Sequence, residues 1–334
     1  MRLVRGVMRF RSFRSSTAVG ASAALAVTAL TAGCAPASAG PEAAPEKPNI
    51  VVEDFPTIDS AGLYIAQMDG LFQQQGLNVT IRFAPASQLA VSSQLNGTSD
   101  ISSADYVTYI DDQLDENAHL RIIGEASSLE PHELSMFVGP NSHVRSLAGL
   151  EGRTVAVTAP GDISTLLVRA LLAENGVRSR FVNIQPGFPL QNMAQELDSG
   201  LANAAPIPEP FASEGEQQYG LQELTDVDQG ATTNFPLDGY AVTQAWARKY
   251  PNTLTAFLRA LQQGQEIADT NRSAVEAALE KFLSISPETA SVLALPDYPL
   301  SVDPTQLQRV VDAMVQFSLL PRHYTSFNIT RMTG

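Results

Sequence analysis

The chain has 334 residues, 44% of them hydrophobic and 17% charged, with 21 Lys+Arg against 35 Asp+Glu and a net charge of −14. Such an acidic balance excludes nucleic acid as a partner, because that binding needs a basic footprint. A single cysteine excludes an internal disulfide.

In chain order, the first 14 residues carry five arginines and no acid, and a small, apolar run follows from Thr17 to Gly33. A basic start, a short apolar core and a small-residue cleavage zone predict a signal peptide over 1–33. Cys34 then stands before the Pro/Ala-rich "APASAGPEAAPEKP" (35–48), which predicts a tether over 34–48. Gly33-Cys34-Ala35 resembles a lipobox, in which the cysteine is acylated and becomes the new N-terminus. Two acyl chains at ~0.8 kcal/mol per buried methylene suffice for stable anchoring. The alternative is a plain signal-peptidase cut after Ala37 or Ala39. Removal of residues 1–33 leaves 16 basic against 35 acidic residues, a net of −19.

Beyond the tether, strand and helix patterns alternate. "NIVVEDF" (49–55) reads as a buried strand, "AGLYIAQMDGLFQQQG" (61–76) as a helix and "NVTIRFAP" (78–85) as a strand that buries Arg82. "SQLAVSSQLNG" (87–97) predicts a helix capped by Ser87, and "TSDISSAD" (98–105) a short strand and loop. "HELSMFVG" (132–139) and "RTVAVTAP" (153–160) predict strands, the second leading directly into a helix over 161–177. An extended "FVNIQPG" (181–187) precedes a helix over 188–200. Late helices are predicted over 253–283 and 305–320. The alternation predicts an α/β protein with largely parallel sheets.

Catalytic motifs are missing from the sequence: it holds no G-x-S-x-G, no P-loop and no G-x-G-x-x-G. His119, His132, His143 and His323 lack the short spacing of metal ligands, so no metal and no cofactor is expected; His132 alone opens a strand where it would face a cleft. The informative features are loops at strand ends, where open α/β sheets bind ligands. One carries Asp54, Phe55, Thr57 and Asp59; a second carries Ser103, Asp105 and Tyr106; a third carries Gly161, Asp162, Ser164 and Thr165. The third opens a helix, whose free N–H groups suit a polar acceptor, although Asp162 is equally placed to cap that helix itself.

Four stretches resemble the nitrate/sulfonate/taurine and thiamine-precursor substrate-binding lipoproteins of ABC importers, the SsuA/THI5-like (NMT1-like) group. They are "DSAGLYIAQMDGLFQQQGLNVTI" (59–81), "SLAGLEGRTVAVTAPGDISTLLVRALLAENGV" (146–177), "LDSGLANAAPIPEPFASEGEQQYG" (197–220) and the late helical region 238–279. The chain departs from that pattern at Asn203-Ala204, at Pro208 and at Asp59-Ser60-Ala61. The resemblance implies a two-lobed type II periplasmic-binding-protein fold with two crossings, lobe 1 from 48–136 plus 236–334 and lobe 2 from 137–235. It implies a monomer that takes a small solute into the interlobe cleft and delivers it to an ABC permease and ATPase. It also places Glu209 and Phe211 at that cleft. The acidic candidates, with Phe55, Tyr106 and Phe211 as stacking surfaces, favour a neutral or cationic heterocycle such as a thiamine-precursor pyrimidine. A sulfonate, taurine or nitrate is the alternative solute. A pyrimidine-synthesising THI5-like enzyme is the alternative of a different class. The resemblance ties that enzyme to a cysteine-rich iron-binding stretch and a reactive lysine and histidine, and the sequence beyond Cys34 holds no cysteine and only Lys47, Lys249 and Lys281.

Overall fold

The computed structural model describes residues 43–114 and 118–333. The signal-peptide and anchor expectations, Cys34 included, lie outside the described residues.

Strand β1 (Asn49–Asp54) pairs in parallel with β2 (Asn78–Phe83) on one side and β3 (Ile101–Asp105) on the other. Here the alternating burial of β1 matches the period-two pattern of its sequence. Strand β4 (Leu120–Ser128) joins the same sheet only through a late return of the chain. That return is a strand over Pro236–Thr243, antiparallel to both β3 and β4. A second, wholly antiparallel sheet centres on β5 (Leu134–Val138), flanked by strands at Ala205–Pro208 and Gln222–Asp226. Between them β6 (Thr154–Ala156) and β7 (Asn183–Gln185) pair in parallel, and a bridge from Val155 to Ala204 ties this pair to the second sheet. In chain order the three late strands are β8 (Ala205–Pro208), β9 (Gln222–Asp226) and β10 (Pro236–Thr243). The expectation of largely parallel sheets is therefore corrected: β5, β8, β9 and β10 all run antiparallel to their neighbours.

Helices cover the first sheet. The predicted helix over 61–76 is two, α1 (Ala61–Met68) and α2 (Leu71–Gln74), broken at Gly70, whose φ of 69° no helix accommodates. Next come α3 (Ser87–Leu95), in which Ala86 holds the cap position expected of Ser87, α4 (Tyr106–Leu114), α5 (Ile163–Glu174), α6 (Met193–Asp198) and α7 (Phe211–Tyr219). The predicted helix over 253–283 also divides. It forms α9 (Pro251–Thr270), which follows α8 (Gln244–Lys249), and α10 (Arg272–Phe282), where Asn271 leaves helical geometry and accepts a bond from the Ala274 N–H at 3.2 Å. The chain ends through α11 (Pro287–Val292), α12 (Pro304–Gln316) and α13 (Thr330–Thr333).

Helices α1 and α9 touch backbone to backbone. A Cβ at Gly264 would sit 2.1 Å from the Gly62 carbonyl oxygen, so glycine alone permits that approach. One apolar cluster packs α1, α2 and α9 onto the first sheet. The largest runs from α4 and α12 beneath β10 to β5 and α5, so the two sheets share a continuous core. Arg82, expected inside, is exposed and pairs with Glu53 at 2.7 Å. Among the described residues no helix is long and apolar enough to cross a membrane.

Candidate functional site

The carboxyl ends of β1 and β3 and the start of α5 open onto one cavity of about 380 Å³. Ligand cavities commonly fall between about 300 and 1,000 Å³. Phe55, Thr57 and Asp59 enter it from the connection after β1, Asp105 from the end of β3, and Asp162 and Ser164 from the head of α5. From the second sheet come Glu133 and Leu134 at the start of β5 and Pro206 and Pro208 of β8; β10 supplies Leu237 and Asp238.

Each candidate loop has a local reason for its shape. In the first, Thr57 Oγ1 donates to Asp59 and Ser60 Oγ donates to Asp54 at 2.8 Å, bracing a short 3₁₀ turn. Asp54 lies beneath this turn, outside the cavity lining. Burial pushes its carboxyl up to about 6, against the hydrogen bond from Ser60. Ser103 is buried on β3, outside the cavity lining.

In the second loop Asp105 caps α4, accepting from Thr108 N and Oγ1, each at 2.8 Å. Burial first, and then the facing charge of Asp162, raise its carboxyl to about 6. The loop expected at the end of 98–105 is absent: strand β3 runs to Asp105 and helix α4 begins at Tyr106 with no gap between them. Tyr106, expected as a stacking surface, is instead a core residue: its ring is fully buried, and a Cβ on Gly239 would come within 2.3 Å of its hydroxyl.

In the third loop Asp162 is a helix cap. It accepts from Thr165 N at 3.0 Å, Ser164 Oγ at 2.7 Å and Ala159 N at 3.0 Å, and from Thr158 Oγ1. The first-turn N–H that an anion would seek is thus already engaged by a carboxylate. Gly161 has φ of 73° and open space where a Cβ would stand, so the turn, and no close approach, explains the glycine. Thr165 Oγ1 closes the loop on Ala159 O at 3.1 Å.

Glu209 and Phe211 stand apart from the cavity lining. Glu209 lies at the head of α7, next to a cis Glu209–Pro210 bond, and accepts from Ser213 N at 2.9 Å and Ser213 Oγ at 2.8 Å. Phe211 is half-buried against the cluster formed by α6, α7 and β8. His132 is exposed and bonds Glu223 through Nδ1 at 3.1 Å. The next residue, Glu133, is buried where His132 is exposed; the two sit in the turn just before β5, where His132 takes a left-handed φ of 67°.

Two acids of the cavity escaped the sequence reading. Glu133 is 0% exposed and both of its carboxyl oxygens lack a hydrogen-bond partner. Burial holds its proton affinity well above the ordinary carboxylate range, reinforced by Asp59, Asp238, Glu209 and Asp226. Asp238 is raised likewise by burial and by the neighbouring charges of Asp59, Asp105 and Asp54. An acid opening an otherwise apolar strand, "ELSMFV", was the available sign for Glu133. Among the described lining residues are five carboxylic acids and no lysine, arginine or histidine.

A family model described as NMT1/THI5-like matches residues 57–272. The chain belongs to the NMT1/THI5-like family. Solved structures similar to this NMT1/THI5-like chain include the alkanesulfonate-binding protein SsuA from Xanthomonas axonopodis pv. citri bound to MOPS. That pair shares 19% identity over 84% of this chain and 96% of the other, with a TM-score of 0.69. The periplasmic nitrate-binding protein NrtA from Synechocystis PCC 6803 shares 16% identity over 84% of each chain, with a TM-score of 0.70. The ligand-binding component of an ABC-type import system from Staphylococcus aureus, with zinc bound, shares 11% identity over 86% of this chain and 96% of the other, with a TM-score of 0.74. Among curated protein sequences none matches. With the two sheets described above, these likenesses give the NMT1/THI5-like chain the mixed α/β, two-lobed type II periplasmic-binding-protein fold. Among its described residues no group of three or more His, Cys, Asp or Glu is placed to hold a metal ion.

Proposed function

We propose that this chain is the extracytoplasmic solute-binding component of an ABC importer, and not an enzyme. In this reading it is held to the membrane by a lipidated Cys34 and hands its solute to a permease. Lobe 1 (48–136 plus 236–334) and lobe 2 (137–235) close on a neutral or cationic heterocycle of the aminopyrimidine class. One observation carries the choice of solute: a cavity of about 380 Å³ whose ionisable lining residues are all acids, with no lysine, arginine or histidine among them. An oxyanion finds no cationic partner in such a lining, whereas carboxyl oxygens accept from ring and exocyclic N–H donors. Apolar neighbours such as Leu134, Leu190, Ile163 and Leu237 suit the faces of a ring. The sulfonate- and nitrate-binding relatives share the fold, but their anions would here find no lysine, arginine or histidine in the described lining to neutralise them.

A thermal-shift and calorimetric screen of an aminopyrimidine, an alkyl sulfonate and nitrate tests the reading. The aminopyrimidine at 100 times its Kd should stabilise the protein by about 2.7 kcal/mol. Tight binding of sulfonate or nitrate, with none of the aminopyrimidine, overturns the choice of solute. The anchor is tested by Cys34→Ser, which should move the protein from the membrane to the soluble fraction; continued membrane association rejects it.

A further inference from the structure

Glu133 differs from every other acid of the cavity described above. Asp162 is engaged by the head of α5, Asp105 by Thr108 and one oxygen of Asp59 by Thr57 Oγ1, and Asp238 is not among the buried groups left without a partner. Glu133 has no such engagement: it is 0% exposed, lines the cavity and leaves both carboxyl oxygens unpartnered. Its backbone is fixed, because its carbonyl accepts from Glu209 N at 2.9 Å and its N–H donates to Glu130 O at 3.2 Å. The ionisable groups that bear on it are Asp59 from the turn after β1, Asp238 from β10, Glu209 after β8 and Asp226 from β9, with the buried Tyr298 from the segment after α11; none is a cation. No cation of the described lining stands ready to neutralise it.

We infer that Glu133 is the specificity-determining residue of this cavity, and that it accepts two parallel N–H bonds from a planar amidinium- or guanidinium-type cation. The inference rests on the solute-binding reading and narrows its substrate class; a protonated aminopyrimidine presents such an edge. Two free oxygens on one carboxylate match two parallel donors, the arrangement that makes bidentate pairs stronger and more selective than single contacts. Asp59, whose Oδ1 is also buried and unpartnered, supplies a third acceptor beside the pair. Burial raises the Glu133 carboxyl well above the ordinary carboxylate range, which favours its protonated form wherever no cation is bonded to it. A permanently charged amidinium must then displace that proton to solvent as it binds, so that the carboxyl becomes carboxylate and the complex is neutral at that contact.

The test uses the full soluble chain and a matched pair of probes, benzamidinium and its neutral isostere benzamide, titrated calorimetrically in two buffers of different ionisation enthalpy. Wild type should bind benzamidinium at least about tenfold more tightly than benzamide, with proton release on binding. Glu133→Gln should lose at least about tenfold for benzamidinium, change benzamide by less than about threefold, and lose the proton release. The unchanged benzamide affinity also certifies that the variant is folded. Should Glu133→Gln not fold, the wild-type pH profile decides: benzamidinium affinity must rise with pH while that of benzamide stays flat. Equal wild-type affinities for the two probes, unchanged benzamidinium binding in Glu133→Gln, or no binding of either probe each overturns the assignment. The importer reading is judged separately by the solute screen, where aminopyrimidine binding would keep it standing after Glu133 had failed.

Discussion

Two carboxylates of this molecule are equally hidden and oppositely treated. Asp100, 6% exposed, is saturated by the chain itself: Lys47 Nζ and Trp246 Nε1 (2.8 Å) reach one oxygen, and Val51 N reaches the other at 2.9 Å. Glu133, 0% exposed, has nothing on either oxygen. Asp100 joins Lys47 to β1 and α8, so its partners come from within the fold; with Glu46 accepting from Thr253 N at 2.9 Å, the last residues of the expected tether (34–48) are docked on the fold and not free. Glu133 opens on a cavity instead. A buried acid that serves structure is surrounded by donors when the chain folds, whereas one that serves a solute must be left wanting until the solute arrives.

The largest way to break this comparison is at its satisfied end. Asp100→Ala would strand the Lys47 ammonium and the N–H groups of Val51 and Trp246. The loss should be about 2–4 kcal/mol in the free energy of unfolding, read from the urea midpoint. Glu133→Leu, which deletes an unpartnered buried carboxyl, should be neutral or stabilising in the same assay. Equal losses in the two variants would erase the distinction.

Acidity sharpens it next. Asp54 and Asp105 titrate near 6 in the folded chain against an ordinary 3.8, and Glu125 near 7 against 4.5, in each case chiefly because burial disfavours the charged form. The folded state therefore holds protons that the unfolded chain has already released. Stability is greatest at low pH in this window and falls as pH rises from about 4 through about 7. Urea unfolding at pH 5 should need more denaturant than at pH 8, by roughly 1–3 kcal/mol. A protein that loses stability on going from pH 8 to pH 5 would contradict buried, uncompensated acids.

Asp162 falls between the two extremes, lining the cavity yet bonded by its own loop. Asp162→Ala should cost about 1–2 kcal/mol of stability, the usual loss of a helix cap, and Asp162→Asn markedly less. A stability loss below about 0.3 kcal/mol for Asp162→Ala would show that its bonds in the loop are not formed in solution.

How far the sequence revealed this follows from the range of each interaction. Strand β1, the break after Leu95 and helix α5 rest on local periodicity and turn residues, and each was legible within about three residues at its ends. Asp162 could be read as a cap because capping is settled within three residues. Strand β10 was invisible in "PLDGYAVT", because its place between β3 and β4 is decided by partners more than 100 residues earlier in the chain. Its acid Asp238 went unseen with it. Tyr106 failed as a stacking surface for a similar reason: the direction of its ring is set by Gly239, across the sheet. Glu133 lay one residue from a histidine that drew attention instead, and which of the two is buried is decided by the turn before β5, where His132 takes a positive φ that nothing in the sequence announces.

The smallest expected effect concerns Glu209, which the family resemblance placed at the cleft. Its carboxylate is occupied by Ser213 N and Oγ and lies outside the cavity lining. Glu209→Gln keeps an acceptor for one of these donors and removes only a charge. Stability should change by less than about 1 kcal/mol, the scale of a single hydrogen bond. Aminopyrimidine affinity should stay within about twofold, well under the tenfold that corresponds to 1.4 kcal/mol. Glu209 does add to the field that favours the protonated form of Glu133, so the residual effect has a sign. With one negative neighbour fewer, Glu133 ionises more readily and a cationic solute binds slightly more tightly, not less. Calorimetry on Glu209→Gln and Glu133→Gln in parallel separates the two acids. A tenfold loss confined to Glu209→Gln would return Glu209 to the site and remove Glu133 from it.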